Sequence, residues 1–308
     1  MDKPFISVIV PLFNEAESVG ELSGVLLQTL ASLGKSFEII LVDDGSTDGT
    51  WRELSKLQGV RAIRLRRNFG QTAALSVGIK EAQGDVIITM DGDLENDPAD
   101  IPKLLQKLEE GYDIVSGWRR DRWQDKLFSR RLPSAAANWL ISFVTGVTLH
   151  DHGCTLKAYR SDLLKHTQLT GDMHRMIAAY AARAGARIAE IPVGFRPRRH
   201  GVSKYGFSRT FKVLLDILAF HFFYKYARRP MHFFGAIGFL SFFLSFIVAV
   251  FTFYLRIVEN IHFIRTPLPI LVAIFVVVGF QFILMGLLAE IISRMAPSHI
   301  EIEYDKKT

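Results

Sequence analysis

The sequence predicts an α/β domain with a mostly parallel sheet, followed by amphipathic helices and two helices long enough to cross a membrane. Three observations lead to this prediction. Strand-like and helix-like segments alternate over residues 6–119, the strand-like segments are almost wholly apolar, and two uncharged apolar runs lie near the C-terminus. Apolar strands that alternate with helices are typical of a parallel sheet covered on both faces.

Five strand-like segments follow one another, and each of the first four leads into a helix-like segment. The strands are predicted over residues 6–13, 37–44, 60–68, 85–91 and 112–119. The helices are predicted over residues 15–33, 45–57, 71–84 and 97–111. Ser46, Thr47 or Asp48 can cap the second helix, because a short side-chain oxygen satisfies a free backbone N–H there.

Two apolar runs, residues 233–255 and 266–289, contain no charged side chain. Each run is long enough to cross a hydrocarbon core of roughly 30 Å. The link between them is short, so residues 231–295 are predicted to form a transmembrane hairpin. Basic residues flank the hairpin on both sides, whereas the link carries only Arg256 and Arg265. This bias predicts that both termini, including the tail over 296–308, are cytoplasmic.

Charge and aromatic content favour a lipid partner over nucleic acid. The net charge is +6, and segments near 133–149 and over 207–230 combine apolar residues at helical spacing with nearby basic residues. Such helices are typical of the membrane interface. The N-terminus lacks the pattern of a signal peptide, and the single Cys154 fits a reducing compartment. The sequence therefore predicts an integral protein of the inner or plasma membrane with a cytoplasmic N-terminal domain.

Acidic residues collect where the predicted strands end. Asp43 and Asp44 end the second strand, and the fourth runs into Asp91, Gly92 and Asp93. Ligands of such sheets bind beyond the carboxyl ends of the strands. Because neighbouring carboxylates repel each other, we expect a cation at this edge.

These segments resemble the nucleotide-diphospho-sugar domains of glycosyltransferase family 2. The similar stretches are SVIVPLFNEAESV, EIILVDDGSTDGT, RLRRNFGQTAALSVGI, AQGDVIITMDGDL and HGCTLKAYR. A dinucleotide-binding domain would instead need G-x-G-x-x-G after the first strand, where this sequence has PLFNEAES. The resemblance implies a transferase domain of the GT-A type over residues 1–206.

The resemblance also implies which residues bind the donor. The nucleotide sugar would contact Pro11, Phe13, Glu15, Asp43, Asp44, Gly70, Gln71, Asp91 and Gly92. Mg²⁺ or Mn²⁺ would be held by Asp93, Asp91 and Glu95. Two roles stay open for Asp44, which either contacts the nucleotide or caps the following turn. Two also stay open for Glu95, which either ligates the metal or faces solvent.

On the acceptor side, the resemblance is to transferases that use polyprenyl phosphate. The acceptor phosphate would be held by Arg119, Arg130, Arg198 and Lys204, the last two in a loop similar to R-x-x-G-x-S-K. Guanidinium groups suit this role because they bind phosphate through two parallel hydrogen bonds. The catalytic set would be Asp93, Asp91 and Asp151, with Asp151 binding the sugar or lying beside the metal.

We therefore expect an inverting enzyme that transfers a hexose-type sugar to undecaprenyl or dolichyl phosphate at the cytoplasmic membrane face. The lipid-linked product would serve in glycan modification of the cell envelope. A UDP-sugar is the favoured donor, with a GDP-sugar as the alternative, and homo-oligomerisation is left open. Two other functions are weighed against this one: a processive polysaccharide synthase, for which two spans are few, and a non-catalytic lipid-binding scaffold.

Overall fold

The computed structural model describes residues 3–122, 132–165, 177–183, 185–196, 226, 230–295 and 304–307. They fall into two compact units, an α/β unit that includes the C-terminal residues and a helical hairpin. The strands are β1 (Ile6–Leu12), β2 (Phe37–Asp43), β3 (Arg61–Leu65), β4 (Val86–Thr89), β5 (Ile114–Trp118), β6 (Lys157–Arg160), β7 (Ile188–Pro192) and β8 (Tyr304–Lys307). The helices are α1 (Val19–Ala31), α2 (Thr50–Leu54), α3 (Gln71–Glu81), α4 (Ile101–Glu109), α5 (Leu132–Thr145), α6 (Ser161–Lys165), α7 (Ile177–Arg183), α8 (Pro230–Ile257) and α9 (Leu268–Met295).

The described strands form one mixed sheet in the order β7-β5-β6-β4-β1-β2-β3-β8. The four strands β4, β1, β2 and β3 are parallel, which confirms the predicted arrangement for this half of the sheet. The other half differs, because β6 runs antiparallel between β4 and β5. Strand β6 therefore begins at the edge where β4 ends, and this brings the segment 150–157 to the carboxyl ends of the parallel strands.

Alternating side chains of the central strands build a core on each face of the sheet. Val8 and Val10 point to the face covered by α1 and α4, whereas Ile9 points to the face covered by α3. Helix α1 forms because apolar residues recur every three or four positions, and it buries Leu22, Leu26 and other members of that stripe. Both faces are thus apolar, which is why the strands read as continuous hydrophobic runs.

The C-terminal residues do not end as a simple tail. Tyr304–Lys307 pairs antiparallel with β3 as strand β8. The exposed side of β3 would otherwise present a row of free backbone N–H and C=O groups, and a short strand satisfies them. The C-terminus therefore belongs to the α/β unit.

The helical hairpin consists of α8 and α9, which contain the two predicted apolar runs. Both helices are long and apolar enough to cross a membrane. Small residues let them pack closely, since a Cβ added to Gly238 would lie 2.9 Å from the Gly279 carbonyl oxygen. Ser245 Oγ also donates a hydrogen bond of 3.0 Å to the Val272 carbonyl. Many large apolar side chains on both helices face outward, as suits a lipid environment.

Gly45 is the position where the fold most clearly requires glycine. Its φ is +67°, and an added Cβ would lie 2.3 Å from the Arg67 carbonyl carbon. Gly34 has a similar φ of +64°, with nothing within 4 Å of an added Cβ. Gly34→Ala is therefore expected to cost only the left-handed strain of about 1–2 kcal/mol.

Gly45→Ala should lower the free energy of unfolding more than Gly34→Ala does, because the added Cβ also clashes with the backbone at Arg67, which must then move. The additional cost of overpacking is about 1–3 kcal/mol. Unfolding of the two variants and the wild type in the same detergent measures the difference. Equal destabilisation by the two substitutions would contradict the contact between Gly45 and Arg67.

Candidate active site

The carboxyl ends of β4, β1 and β2 lie side by side and carry the acidic residues. The loops after β1 and β2 are bound to each other: the Asp44 N–H donates to the Leu12 carbonyl at 2.8 Å, and the Asn14 N–H donates to Ser46 Oγ at 2.9 Å. Asn14 accepts from the Thr47 N–H in return, at a φ of +58° that asparagine tolerates. These contacts fix the edge on which Pro11, Phe13 and Glu15 were predicted to bind a nucleotide.

Asp43 is fully buried at the tip of β2. Its Oδ1 accepts a hydrogen bond of 2.9 Å from the Ser46 N–H. Its Oδ2 accepts no hydrogen bond from the described residues, and Arg64 Nε lies 3.4 Å away. A buried acceptor without a donor is costly, so a ligand N–H or O–H placed here would be favoured.

Asp44 organises the loop between β3 and α3. Its two oxygens accept hydrogen bonds from the backbone N–H groups of Phe69 and Gly70, at 2.8 and 2.9 Å. Burial raises the pKa of Asp44, and these two bonds partly offset the rise. Of its two open roles, the geometry therefore favours organising the loop over contacting a ligand.

The loop held by Asp44 reaches the acidic segment after β4. Gln71 Nε2 donates a hydrogen bond of 2.6 Å to Asp91 Oδ1. Gly92 lies close against β1, because an added Cβ would lie 2.2 Å from Leu12 Cδ2 and the Leu12 side chain would have to move. The loop after β3 therefore meets the acidic segment after β4 at Asp91, and the binding of the nucleotide sugar by Gly70, Gln71, Asp91 and Gly92 stays a prediction.

Asp91 and Asp93 are neighbouring carboxylates whose charges interact. Burial, reinforced by the charge of Asp93, raises the pKa of Asp91 to about 6. Within the described part of the chain, no three His, Cys, Asp or Glu side chains are grouped as a complete metal site. Two hard oxygen ligands and excess negative charge still fit Mg²⁺ or Mn²⁺, since Mg²⁺ often uses one or two carboxylates together with substrate phosphates.

The contacts of Glu95 favour pairing with arginines over binding a metal ion. Its Oε2 lies 3.2 Å from Arg122 Nη2 and 3.8 Å from Arg119 Nη1. The side chain is also largely buried, so it does not face solvent as one of its two open roles required. We therefore retain Asp91 and Asp93 as the candidate metal ligands and assign Glu95 to the neighbouring arginines.

Arg119 and Asp151 form a bidentate ion pair in the interior. Arg119 Nε donates to Asp151 Oδ2 at 2.8 Å and Nη2 donates to Oδ1 at 3.2 Å. Although burial alone would raise the pKa of Asp151, the Arg119 guanidinium holds it below its usual value. The Arg119 side chain is 1% exposed. This geometry fits a positioning role for Arg119 better than the predicted direct contact with an acceptor phosphate.

Several residues of the site were missed at the level of sequence. Glu190 accepts hydrogen bonds from the backbone N–H groups of His150 and Asp151, which fixes the loop that carries Asp151. Thr155 hydrogen-bonds to the Asp91 side chain and accepts from Asn96 Nδ2 at 3.2 Å. Thr155 lies in the quoted stretch HGCTLKAYR, whereas nothing in the β7 sequence marks Glu190.

The remaining predicted acceptor residues, Arg130, Arg198 and Lys204, lie outside the described residues. So does the predicted interfacial helix over 207–230, apart from Tyr226 and Pro230.

The fold and the acidic edge define a glycosyltransferase of the GT-A type. Residues 7–167 match the sequence profile of glycosyl transferase family 2, and the chain belongs to this family. It is 43% identical over 297 residues to a dodecaprenyl-phosphate galacturonate synthase from Rhizobium johnstonii, covering 94% of this chain and 88% of the relative. It is 36% identical to an undecaprenyl-phosphate 4-deoxy-4-formamido-L-arabinose transferase from Edwardsiella ictaluri, covering 94% of this chain and 89% of the relative.

Solved structures support the fold. A glucosyl-3-phosphoglycerate synthase from Mycobacterium tuberculosis with Mn²⁺ and UDP-glucose aligns with a TM-score of 0.56 at 20% identity, over 71% of this chain and 78% of that one. A mannosyl-3-phosphoglycerate synthase from Rubrobacter xylanophilus aligns with a TM-score of 0.58 at 18% identity, over 71% and 74%. The predicted family, fold class and enzyme class are confirmed.

Removing one partner of the buried Arg119–Asp151 pair should strongly destabilise the protein. Arg119→Gln leaves Asp151 buried without its counter-charge, and we expect a loss of about 3–5 kcal/mol in the free energy of unfolding. Asp151→Asn should cost less, because Arg119 keeps Glu95 as a neighbour. Denaturant unfolding of the purified variants measures both losses.

Arg52→Gln is the matched control, because the Arg52 side chain is 79% exposed and pairs with Glu53 at 3.5 Å on the surface. A surface pair of this kind contributes about 0–1 kcal/mol. If Arg119→Gln destabilises the protein no more than Arg52→Gln does, the interior pair does not hold this site together.

Proposed function

We propose that this protein transfers a sugar from a nucleotide-diphosphate sugar to polyprenyl phosphate at the cytoplasmic face of the inner or plasma membrane, with inversion at the anomeric carbon. The observation that carries the proposal is the convergence of Asp43, Asp91 and Asp93 on one edge of the sheet in a chain with two apolar helices. The two curated relatives described above are named for transfer to polyprenyl phosphates.

The nucleoside of the donor binds across the tips of β1 and β2. Asp43 Oδ2 is a buried acceptor aimed at this edge, and it suits an N–H or O–H of the base or ribose. Phe13 is half-buried directly after β1 and offers an aromatic surface for the base. UDP is the favoured nucleotide because the similar M. tuberculosis enzyme binds UDP-glucose.

The diphosphate lies beside Asp91 and Asp93. A bound Mg²⁺ or Mn²⁺ supplies positive charge that stabilises the departing diphosphate. Asp93 would be the principal ligand of the metal ion, and Gln71 orients Asp91 through its hydrogen bond of 2.6 Å. Gly92 keeps the turn narrow enough for the donor to approach the sheet edge.

The acceptor phosphate attacks the anomeric carbon directly. A phosphate monoester is already anionic at neutral pH, so orientation and charge shielding matter more than a strong base. A single displacement of this kind inverts the anomeric carbon. Arg130, Arg198 and Lys204 bind the acceptor phosphate. The Arg119–Asp151 ion pair holds in place the segment that borders the sugar.

The membrane arrangement follows from the hairpin. Strand β8 pairs with β3 in the α/β unit, which supports placing the C-terminus and this unit on the same side of the membrane. The basic residues that flank the hairpin support the cytoplasmic side. A processive synthase would need more spans to build a channel, and a non-catalytic scaffold would have no use for the buried acidic edge.

The first experiment is transfer from a UDP-sugar to polyprenyl phosphate by purified Asp93→Asn. Loss of a metal-ligand charge should reduce turnover at least about 100-fold while leaving the fold intact. Asp85→Asn is the matched control, because Asp85 precedes the same strand at its opposite end and pairs with Lys3 on the surface. Wild-type turnover in Asp93→Asn, or full activity in a chelator, would rule out the metal assignment.

Helix α5 is proposed to rest on the membrane surface, in line with the predicted contact near 133–149. Trp139 and Phe143 are 67% and 75% exposed and stack with ring centroids 5.7 Å apart. Replacing both with Gln should raise the KM for polyprenyl phosphate in vesicles roughly ten-fold, because apolar burial in lipid is lost. The KM for the nucleotide sugar should stay constant.

Ala136→Gln is the matched control, because it adds a polar side chain to the same helix and leaves both aromatic side chains in place. A short-chain acceptor that needs no vesicle should be used equally well by all variants. If the double substitution raises the KM of that soluble acceptor as well, α5 acts on the acceptor site itself and does not anchor the domain to lipid.

A further inference from the structure

A histidine at the carboxyl edge of the sheet is exposed and is nevertheless held by contacts from three elements. His150 precedes Asp151 in the loop after α5, and its side chain is 69% exposed. Its ring stacks on Trp118 at the end of β5, with ring centroids 4.4 Å apart. Asn138 Nδ2 of α5 donates a hydrogen bond of 2.6 Å to its carbonyl. Ordering a surface side chain costs conformational entropy, so a fixed and exposed ring calls for an explanation.

Glu190 of β7 is the third contact. Its carboxylate is only 10% exposed, and Oε2 lies 2.7 Å from His150 Nδ1. The same carboxylate accepts hydrogen bonds from the backbone N–H groups of His150 and Asp151. Because an ionised carboxylate only accepts hydrogen bonds, Nδ1 carries a proton and donates to Glu190. His150 and Glu190 therefore form a histidine–carboxylate dyad.

The second ring nitrogen, Nε2, makes no hydrogen bond among the described residues. A neutral ring presents Nε2 as a proton acceptor, and a protonated ring presents Nε2–H as a donor. The hydrogen bond at Nδ1 and the stacked Trp118 hold either form in one orientation. Enzymes use a histidine oriented by a carboxylate in this way to take up and return a proton.

The dyad lies at the same edge of the sheet as the acidic segment. Strand β6 is antiparallel to both β4 and β5, and β7 is parallel to β5, so β4, β5 and β7 end together. Trp118 and His150 each precede one partner of the interior ion pair between Arg119 and Asp151. The exposed Arg120 guanidinium lies over the Trp118 ring, 5.9 Å from its centroid, and adds positive charge. An anion at this rim is therefore favoured.

Helix α5 connects the dyad with the membrane surface. Asn138 contacts the His150 carbonyl, and the next residue, Trp139, belongs to the exposed aromatic pair proposed to rest on lipid. The phosphate of a polyprenyl phosphate stays at the lipid surface, because its apolar chain is buried in the bilayer. An exposed and oriented imidazole beside α5 is thus placed where the acceptor phosphate enters the site.

We propose that the His150–Glu190 dyad binds the acceptor phosphate and shares one proton with it through Nε2. The inference rests on the proposed function, which brings polyprenyl phosphate to this edge. A phosphate monoester loses its second proton with a pKa of about 6, so part of the acceptor arrives as a monoanion. Its P–O–H proton moves to Nε2, which leaves a phosphate dianion hydrogen-bonded to an imidazolium. A dianion that meets an already protonated ring gives the same complex.

The shared proton supplies charge shielding during transfer. An oxygen of the dianion forms the bond to the anomeric carbon, and the bond from that carbon to the diphosphate breaks with its electron pair on the diphosphate. The proton stays on Nε2 beside the phosphate and passes to water after the product leaves. His150 is thereby a catalytic residue that touches the substrate, and Glu190 is a positioning residue that acts through it.

Few other charges face the ring within the described part of the chain. Glu190 lies on β7, Arg119 and Arg120 follow β5, and Asp151 is in the same loop as His150. Helix α5 contributes no charged side chain. Arginine stays protonated at every pH of the experiment, so it contributes no titration of its own. A loss of rate at alkaline pH that disappears with the imidazole therefore reports loss of the shared proton.

The test measures KM and kcat for polyprenyl phosphate between about pH 6 and 9. Wild type should lose kcat/KM at alkaline pH, where neither the ring nor the phosphate holds the shared proton. His150→Asn keeps a donor near the position of Nδ1 and removes Nε2. It should raise the lipid KM roughly 10-fold at neutral pH and lack the alkaline loss, because a hydrogen bond to a charged group is gone. The KM for the nucleotide sugar should not change.

Two further variants separate hydrogen bonding from proton sharing. His150→Gln places an amide N–H near the position of Nε2, so it should recover part of the lipid affinity and still lack the alkaline loss. Glu190→Gln removes the charge that faces Nδ1, so the alkaline loss should begin at lower pH. If the alkaline loss persists in both His150 variants, or if their lipid KM equals that of wild type, the assignment is overturned.

His262→Asn is the matched control, because His262 is exposed in the link between α8 and α9. It should keep the wild-type KM and the wild-type pH profile. If His150→Asn raises the KM of the lipid and of the nucleotide sugar equally, its role is structural, and the assignment is overturned.

Binding without turnover separates this inference from the proposed function. Calorimetric titration of the full-length protein in detergent with a short-chain polyprenyl phosphate gives a Kd for wild type and for His150→Asn. Tighter binding by wild type without any sugar transfer would contradict the proposed reaction and support the assignment. Sugar transfer together with equal Kd values would support the reaction and contradict the assignment.

Short-chain phosphatidic acid presents the same phosphate monoester from a membrane phospholipid. It should bind more weakly than the polyprenyl phosphate, because its glycerol ester and second chain crowd the phosphate, and His150→Asn should not change its Kd. Equal binding of both lipids, with the same dependence on His150, would show a general site for lipid headgroups and overturn the assignment to the acceptor.

Discussion

Electrostatic repulsion at the carboxyl edge of the sheet is the constraint on which the rest of the site depends. Burial and the charge of Asp93 raise the pKa of Asp91 to about 6, although the Thr155 hydrogen bond and the Arg119 charge partly offset the rise. The surrounding residues hold this acidic segment in place: Gln71 donates to Asp91, and Gly92 lets the turn lie against Leu12. A cation and a diphosphate are the natural complement to such an edge.

A second layer of charges lies between this edge and the Asp151 segment of the loop after α5. Arg119 is bound by Asp151 and lies near Glu95, and the backbone of the Asp151 loop is held by Glu190. These contacts hold the Asp151 loop in place, and Thr155 of the same loop hydrogen-bonds to Asp91.

Sequence reasoning predicted the parallel half of the sheet and the acidic edge, because both follow from local patterns: apolar strands ending in Asp43 and in Asp91. It did not predict the antiparallel β6, since a short strand between two others carries no local sign of its direction. The sequence also did not indicate which charged side chains pair with each other. Arg119 was predicted to bind the acceptor phosphate, and its ion pair with Asp151, 32 residues away, is a contact that only the folded sheet creates.

The most direct test of the acidic edge is Mn²⁺ binding followed by electron paramagnetic resonance in the presence of UDP. The wild-type protein should remove one Mn²⁺ per chain from solution when UDP is present, and much less when it is absent, because the diphosphate completes the ligand shell. A double variant, Asp91→Asn with Asp93→Asn, should leave the signal of free Mn²⁺ unchanged. Equally tight, UDP-dependent binding by that double variant would contradict the account.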